Sequence, residues 1–214
     1  SWRTGLSRSG TLAALALTGA AGVVVGRALL PGGSETRAVR TDPVTFPVPI
    51  PPGMAIGPGE VSTHLAVSPD GRSLAFTGSS AGSPLRLHDF RTGATRVLEG
   101  TAGAASPFWS PDGRFIGFFA EGQLRKVPRD GGPPQVVSAA SWEAGNAWSV
   151  DGTILFAQPV GPGRIAIHRV QEGGGEPEPV TTVADNEIGH FWPHFLPDGR
   201  HFLYLALELS LIHI

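Results

Sequence analysis

Residues 106–120 read SPFWSPDGRFIGFFA, and the order of side chains in this stretch predicts a strand, a tight turn and a second strand. Pro111 sets φ for the second position of a type I turn, and the Asp112 carboxylate can bond its own backbone. Gly113 can adopt the left-handed conformation that a β-carbon would penalise. Because apolar residues lie on both sides of this turn, the stretch predicts a β-hairpin.

The same turn signature recurs as SPDGR at 68–72, VDGT at 150–153 and LPDGR at 196–200. The repeat is about 40 to 45 residues long, which is typical of a four-stranded β-propeller blade. We therefore predict an all-β fold, a partial propeller of about three and a half antiparallel blades. The turn residues on which this prediction depends are Pro69, Asp70, Gly71, Pro111, Asp112, Gly113, Asp151, Gly152, Pro197, Asp198 and Gly199.

Each repeat divides into strand-length segments separated by turn residues. Its second segment is a continuous apolar run, as in residues 115–119, which predicts burial on both faces. A fourth unit begins at Phe191 and ends after its second strand, so we expect its outer face, including Phe202 and Leu205, to lack partners. Strands of the three full blades are predicted at 63–67, 73–77, 85–89 and 95–98, then 108–110, 115–120, 123–127 and 135–138, then 146–149, 153–157, 165–170 and 178–183.

The composition excludes several classes of function. Thirty Gly and 20 Pro suit many short strands joined by tight turns. The chain has no Cys, so it can form no disulfide, thiolate metal site or cysteine nucleophile. With 16 Lys and Arg and a net charge of −2, it lacks the basic surface that nucleic-acid binding needs. We expect no nucleic-acid partner.

The amino-terminal region predicts a membrane anchor. Residues 1–9 are polar and carry Arg3 and Arg8, whereas residues 10–30 are almost wholly apolar and long enough for one transmembrane helix. A secretory signal peptide, with Arg3 and Arg8 as its basic region, is the alternative. No clear Ala-x-Ala cleavage site follows the apolar segment, so we favour the span and place residues 1–9 in the cytoplasm.

The span contains a stripe of small residues that includes Gly22 and Gly26, which predicts pairing of two helices in a homodimer. The alternative is that the stripe simply reflects a composition rich in Ala and Gly. Residues 31–42 are predicted to be a linker, and residues 43–206 carry the blades. The tail, residues 207–214, departs from the repeat and resembles translated adaptor sequence, so we expect it to be non-native and the chain to be truncated at both ends.

Two groups of side chains could bind a metal. The four turn aspartates each belong to their own hairpin, and we expect the blades to separate them, so turn formation is their favoured role. His190, His194 and His201 cluster in the sequence, but the spacing of the first two suits a metal only on a helix. We favour a structural role for these imidazoles and predict no metal site.

Trp109, Trp148 and Trp192 recur near the first strand of successive blades. We predict that they pack between blades, with each indole N–H bonded to a backbone carbonyl, rather than forming an aromatic binding cage. No Gly-x-Ser-x-Gly nucleophile motif occurs, and neither Gly-rich segment opens a helix after a strand. We therefore expect no catalytic residue and no cofactor in this chain.

The Ser-Pro-Asp-Gly-Arg units resemble the propeller repeats of the Tol-system periplasmic protein and its relatives. Residues 191–204, FWPHFLPDGRHFLY, resemble more specifically the extracytoplasmic propeller of bacterial membrane-anchored serine/threonine kinases. The resemblance covers residues 43–206 and implies a cytoplasmic kinase domain, one span and a periplasmic propeller. No glycine-rich loop, His-Arg-Asp or Asp-Phe-Gly occurs here, so no phosphoryl-transfer residue is assigned.

The resemblance implies a non-catalytic binding module of an inner-membrane, single-pass receptor-like kinase. Its ligand would be a protein or a small molecule bound to the propeller. Two alternatives remain open. One is the propeller of a membrane-anchored prolyl-oligopeptidase-type serine hydrolase, and the other is a periplasmic scaffold of the Tol type.

Overall fold

The computed structural model describes residues 48, 64–141 and 144–208, all within one unit of the chain, Pro47–Ile214. These residues form strands and turns without a helix. The described part of the chain accordingly holds no helix that is long and apolar enough to cross a membrane. The all-β prediction is confirmed for these residues.

Several sequence predictions lie outside the described residues. They are the cytoplasmic end, the transmembrane helix at 10–30 and the linker, which together make up residues 1–42. The proposed helix-pairing residues Gly22 and Gly26 belong to this segment. The last six residues of the tail, 209–214, are also outside the description.

Two sheets of four antiparallel strands make up the first part of the described chain. In each sheet the strands pair in the order of the sequence. This arrangement confirms the predicted four-stranded antiparallel blades. The strands are β1 (Leu65–Val67), β2 (Ser73–Phe76), β3 (Arg86–Asp89) and β4 (Thr95–Val97), then β5 (Ala105–Trp109), β6 (Phe115–Ala120), β7 (Gln123–Pro128) and β8 (Gln135–Ala139).

The third sheet differs from the prediction, because the fourth unit joins it. It has six strands. Five of them pair in the order β14, β13, β11, β10, β9, and the sixth, β12, pairs with β11. The fourth unit begins at Glu187 rather than Phe191. The strands are β9 (Asn146–Trp148), β10 (Thr153–Gly161), β11 (Arg164–Gln171), β12 (Glu178–Pro179), β13 (Glu187–Phe195) and β14 (Phe202–Glu208).

The length of the β10–β11 hairpin explains this union. These strands have 9 and 8 residues, whereas β12 has 2 and pairs only with His168 and Arg169 of β11. Strand β12 therefore leaves the first residues of β11 unpaired along this edge. One of them, Ile165, pairs in parallel with Gly189 of β13. The two units share one sheet because a short fourth strand leaves part of an edge unpaired.

The first strands of the successive units lie side by side: β1 contacts β5, β5 contacts β9, and β9 contacts β13. Strand β6 is covered on both faces, as its apolar sequence predicts. Ile116 and Phe118 pack in one cluster with Leu87 of the first sheet. Phe119 packs on the other face, with its ring centre 6.2 Å from that of Phe156 in the third sheet.

Gly117 in the middle of β6 permits a close approach between β5 and β6. It lies opposite Phe108, whose ring covers the glycine: a β-carbon on Gly117 would lie 2.3 Å from Phe108 Cζ. The ring centre of Phe108 in turn lies 5.8 Å from the Trp148 ring in the third sheet. The second and third sheets therefore pack through an aromatic contact that depends on the absence of a side chain at Gly117.

Apolar side chains remain exposed at both ends of the sheet array. Leu65 and Val67 on β1 are 51% and 55% exposed, and Leu205 on β14 is 44% exposed. Phe202 departs from the expectation that it lacks a partner. It is only partly exposed, and its ring centre lies 6.3 Å from that of Phe195 across the β13–β14 pair.

Candidate functional site

The four Asp-Gly turns (residues 68–72, 110–114, 149–152 and 196–200) are referred to together as the turn row. A β-carbon on Gly113 of the second turn would lie 3.8 Å from Cδ of Pro69 in the first. The hydroxyl of Ser149 in the third turn donates to the carbonyl of Gly199 in the fourth at 3.2 Å. The first turn thus contacts the second and the third contacts the fourth, because the first strands of successive units pack side by side. The second and third turns line one cavity.

Each turn is closed by one backbone hydrogen bond and a left-handed glycine. In the second turn the N–H of Gly113 donates to the carbonyl of Ser110 at 2.9 Å, and φ of Gly113 is +69°. The other turns have the same form. Their bonds are Gly71 to Ser68, Gly152 to Ser149 and Gly199 to Leu196, at 2.8, 3.1 and 2.9 Å.

The serine that opens the first two turns has a role that the sequence analysis did not assign. The Ser110 hydroxyl donates to Asp112 Oδ1 at 2.7 Å and accepts the N–H of Phe115 at 2.9 Å. Ser68 makes the matching bond to Asp70 Oδ1 at 2.5 Å. The Ser-x-Asp spacing, present in three of the four turns, is the sequence signal that could have indicated it.

These bonds keep the turn carboxylates ionised. The Ser68 hydroxyl, followed by the backbone N–H of Arg72, lowers the pKa of Asp70 to about 2. The Ser110 hydroxyl, followed by the N–H of Arg114, lowers the pKa of Asp112 to about 2. Hydrogen bonds to the charged form of a carboxylate favour that form. Both groups therefore stay charged at a lower pH than an aspartate with the ordinary pKa of 3.8.

The other two turns hold their carboxylates differently. Because the Ser149 hydroxyl donates to the fourth turn, the pKa of Asp151 is lowered mainly by the backbone N–H of Thr153, at 3.0 Å. Leu196 stands at the serine position of the fourth turn. There the backbone N–H of His201 is the largest cause that lowers the pKa of Asp198. All four carboxylates thus accept hydrogen bonds within their own hairpins.

The three histidines have separate surroundings. His190 is buried, with Nε2 3.1 Å from Glu187 Oε2 and its ring centre 4.5 Å from that of Tyr204. His201 Nδ1 lies 2.6 Å from Asp198 Oδ2 in the fourth turn, and His194 is exposed. Within 64–141 and 144–208, no three His, Asp or Glu side chains are grouped so that they could hold a metal ion.

Two tryptophans pack between blades as predicted. Trp109 and Trp148 are each only 8% exposed. The indole N–H of Trp109 donates to the backbone carbonyl of Ala66 in β1 at 3.0 Å. The indole N–H of Trp148 does not bond a backbone carbonyl but donates to the carboxylate of Glu172 at 3.1 Å.

Trp192 corrects the prediction, because it is 44% exposed. A bulge between Phe191 and His194 changes which residues of β13 face the core, and Trp192 has a φ of +48° there. The preceding residue, Phe191, is buried instead of Trp192. Phe195, which precedes Asp198 by the same spacing as Trp109 precedes Asp112, occupies the corresponding sequence position.

Arg129 lies between the first and second blades, and we call its surroundings, formed by Asp70, Ser73 and Trp109, the first groove. The guanidinium Nη1 lies 3.2 Å from Asp70 Oδ2, and Nη2 donates to the Ser73 hydroxyl at 2.9 Å. Its Cζ lies 5.7 Å from the centre of the Trp109 ring. A cation from the second blade is thus bound by a carboxylate of the first blade and stacked on an indole of its own.

Between the second and third turns lies the second groove, a cavity of about 510 Å³. Its lining residues include Asp112, Asp151, Glu172, Trp148 and Arg114. Arg114 pairs with Asp112 at 2.6 Å, but its side chain is 75% exposed. With three carboxylates and one guanidinium, this groove is acidic.

Arg129 and Glu172 occupy equivalent positions. Each directly follows the third strand of its blade, and each backbone N–H donates at 2.8 Å to the carbonyl of the residue before the second strand, Arg114 or Gly152. The sequence analysis missed both side chains. No sequence signal marks them, because the loop after the third strand does not share the turn signature.

No protein-family model matches the chain. Its sequence is 29% identical over 137 residues to an uncharacterised protein of Agrobacterium fabrum, covering 61% of this chain and 45% of that protein.

Solved structures show what the fold resembles. A putative TolB from Agrobacterium tumefaciens matches with a TM-score of 0.56 at 20% identity, over 75% of this chain and 60% of that one. TolB from Acinetobacter baumannii matches at 0.51 and 19% identity, over 69% and 40% of the two chains. A prolyl endopeptidase structure matches at 0.51 and 18%, over 68% and 24%.

The fold is similar to TolB-like β-propellers. The matches to TolB and to a prolyl endopeptidase are all at 20% identity or below and concern the fold alone. The chain spans less than two thirds of the length of each of these relatives.

Proposed function

We propose that residues 43–206 are the binding propeller of a membrane-anchored, receptor-like serine/threonine kinase, and that they carry no catalysis themselves. The observation that supports a binding role is the second groove. It is an open cavity of about 510 Å³ lined by residues of two blades, among them four charged residues and Trp148. Sites of this kind, supported by rigid strands, suit ligand recognition.

The kinase part of the proposal rests on the resemblance of residues 191–204 to the propellers of membrane-anchored kinases. We propose the topology that goes with it: residues 1–9 in the cytoplasm, residues 10–30 across the inner membrane and the propeller in the periplasm. The ligand is a protein or a small molecule. The kinase domain would precede the span in the complete protein.

The decisive experiment uses the native protein, purified from the membrane fraction with an antibody to the propeller. Incubation with radiolabelled ATP and Mg²⁺ should phosphorylate it on serine or threonine. The same sample is treated in parallel with a fluorophosphonate probe for serine hydrolases. Absence of phosphorylation, with or without fluorophosphonate labelling, would contradict the kinase proposal.

A serine hydrolase is the second candidate function. It is supported by the fold-level match to a prolyl endopeptidase, of which the present chain covers 24%. Fluorophosphonate labelling without phosphorylation would favour this candidate. If neither reaction occurs, the third alternative, a periplasmic scaffold of the Tol type, is favoured.

The proposed topology is tested by fusing alkaline phosphatase after residue 42, where it should be active because that enzyme works only in the periplasm. An inactive fusion that is nevertheless expressed would reverse the orientation. Pairing of the spans is tested by replacing Gly22 and Gly26 together with Ile, which should abolish a membrane two-hybrid signal. An equal signal from wild type and variant would mean that the small-residue stripe is only composition.

A further inference from the structure

We propose that the second groove binds a guanidinium group, supplied by an arginine side chain of a protein or peptide ligand. This inference names the ligand chemistry of the proposed binding propeller and rests on that proposal, but not on the kinase assignment. Its basis is a comparison within the molecule. The first groove holds the guanidinium of Arg129, and the second groove has the matching carboxylate and indole but no cation at the position of Arg129.

The first groove shows which contacts such a group makes. Arg129 is bound by the turn carboxylate of the preceding blade, Asp70, at 3.2 Å. It also lies over the indole of its own blade, with Cζ 5.7 Å from the Trp109 ring centre. A planar guanidinium suits both contacts, because it can pair with a carboxylate while stacking on an aromatic face.

The receptor residues of the second groove correspond one to one. Asp112 has the turn position of Asp70, with the same bond from a serine hydroxyl and the same lowering of its pKa to about 2. Trp148 has the position of Trp109, three residues before its turn aspartate. The carboxylate and the indole that bind a guanidinium in one groove are therefore present in the next.

The difference lies at the position that supplies the cation. Glu172 stands where the first groove has Arg129, and its carboxylate accepts the indole N–H of Trp148. The third blade therefore contributes a negative charge where the second contributes a positive one. Together with Asp112 and Asp151 it gives the cavity three carboxylates against the single guanidinium of Arg114.

Arg114 does not replace the missing cation. Its Nε pairs with Asp112 Oδ2 at 2.6 Å, but the side chain is 75% exposed, in contrast to the 27% exposure of Arg129. The cavity of about 510 Å³ therefore has room beside it for another side chain. A ligand guanidinium there would reach Asp151 and Glu172 and partly neutralise the groove.

The test uses the full chain labelled with ¹⁵N and follows the indole N–H resonance of Trp148, assigned with Trp148→Phe. The probes are methylguanidinium and a capped pentapeptide with one arginine between glycines. The control peptide carries citrulline, which has the same shape without the charge. We expect the arginine peptide to shift the resonance saturably and the citrulline peptide to leave it in place.

Two variants localise the effect. Glu172→Gln should weaken the peptide about tenfold, the loss expected when one charge-assisted hydrogen bond is removed. Glu172→Arg should abolish binding, because it supplies the cation from within as Arg129 does in the first groove. Glu178→Gln, which removes an exposed carboxylate of the same sheet outside the groove lining, is the matched control and should bind like the wild type.

Three results would overturn the inference: no shift with either guanidinium probe, equal shifts with arginine and citrulline, or undiminished binding to Glu172→Arg. A shift with methylguanidinium but not with the peptide supports the guanidinium site and assigns a small molecule as its source. The indole resonance reports on the groove alone. Failure here is thus distinct from failure of the phosphorylation assay, which reports on the kinase proposal.

Discussion

The first and second grooves are built from the same parts but carry opposite charges at one position. Each has a turn carboxylate from one blade and a buried tryptophan from the next, yet the residue after the third strand is Arg129 in the first and Glu172 in the second. The first groove is filled from within, and the second is open. The repeated turn therefore builds the scaffold, whereas one residue outside the repeat decides whether a cation or a carboxylate lies beside the tryptophan.

The largest expected effect comes from the strand between the two grooves. Gly117→Val should lower the free energy of unfolding of the full chain by about 3 kcal/mol, since a side chain there overpacks the core against Phe108. Because Phe108 packs on Trp148, the second groove should be disturbed more than the first. Urea denaturation measures the stability. Gly161→Val is the control, as nothing lies near a β-carbon there, and equal midpoints for the two variants would contradict the packing.

A smaller loss is expected from the turn that borders both grooves. Gly113→Val should destabilise the chain by about 1 to 2 kcal/mol, because a β-branched residue is forced into the left-handed region. The φ of +69° at Gly113 is the reason, and little surrounds its β-carbon position. The denaturation midpoint is compared with that of Gly161→Val. An unchanged midpoint would mean that this turn does not need a left-handed residue.

Arg129 should contribute more to the stability of the fold than Arg114. Arg129→Gln should cost about 0.5 to 1 kcal/mol through its lost contact with the Trp109 ring. Arg114→Gln should have a smaller effect, because its side chain is 75% exposed and its ion pair is solvated. Thermal unfolding of both variants measures the difference. If Arg114→Gln were the more damaging of the two, the second groove would already have its own cation.

The smallest effect concerns acid sensitivity. Asp112 has a folded-state pKa of about 2 against an ordinary value of 3.8, so its contribution to stability is present above about pH 4 and lost as the pH falls toward 2. Ser110→Ala should raise this pKa, because the hydrogen bond from the serine hydroxyl is the largest cause of its lowering. Ser149→Ala should raise the pKa of Asp151 less, since a backbone N–H is the largest cause there. Carboxyl NMR titration measures both pKa values, and equal shifts would contradict the assigned difference between the turns.

The sequence predicted the strands of the first two sheets because their information is local. Proline, aspartate and glycine at adjacent positions determine where the chain reverses, and continuous apolar runs such as Phe115–Ala120 indicate strands that are covered on both faces. The buried positions of Trp109 and Trp148 also follow from their place in the repeat. The fourth unit was less predictable. It joins the third sheet because β12 is too short to cover β11, so that β13 pairs with a residue more than 20 positions earlier in the sequence.

The sequence alone determined the repeat, the all-β class and the turns, because each depends on residues within a few positions of one another. Only the tertiary structure decided that the first turn contacts the second and the third contacts the fourth, that Trp192 is exposed and that Arg129 and Glu172 are equivalent. The physical reason is that these relations come from the packing of one sheet on the next. Side chains such as Arg129 and Asp70 become neighbours only when two blades pack side by side, and the charge of a groove is the sum of what both blades contribute.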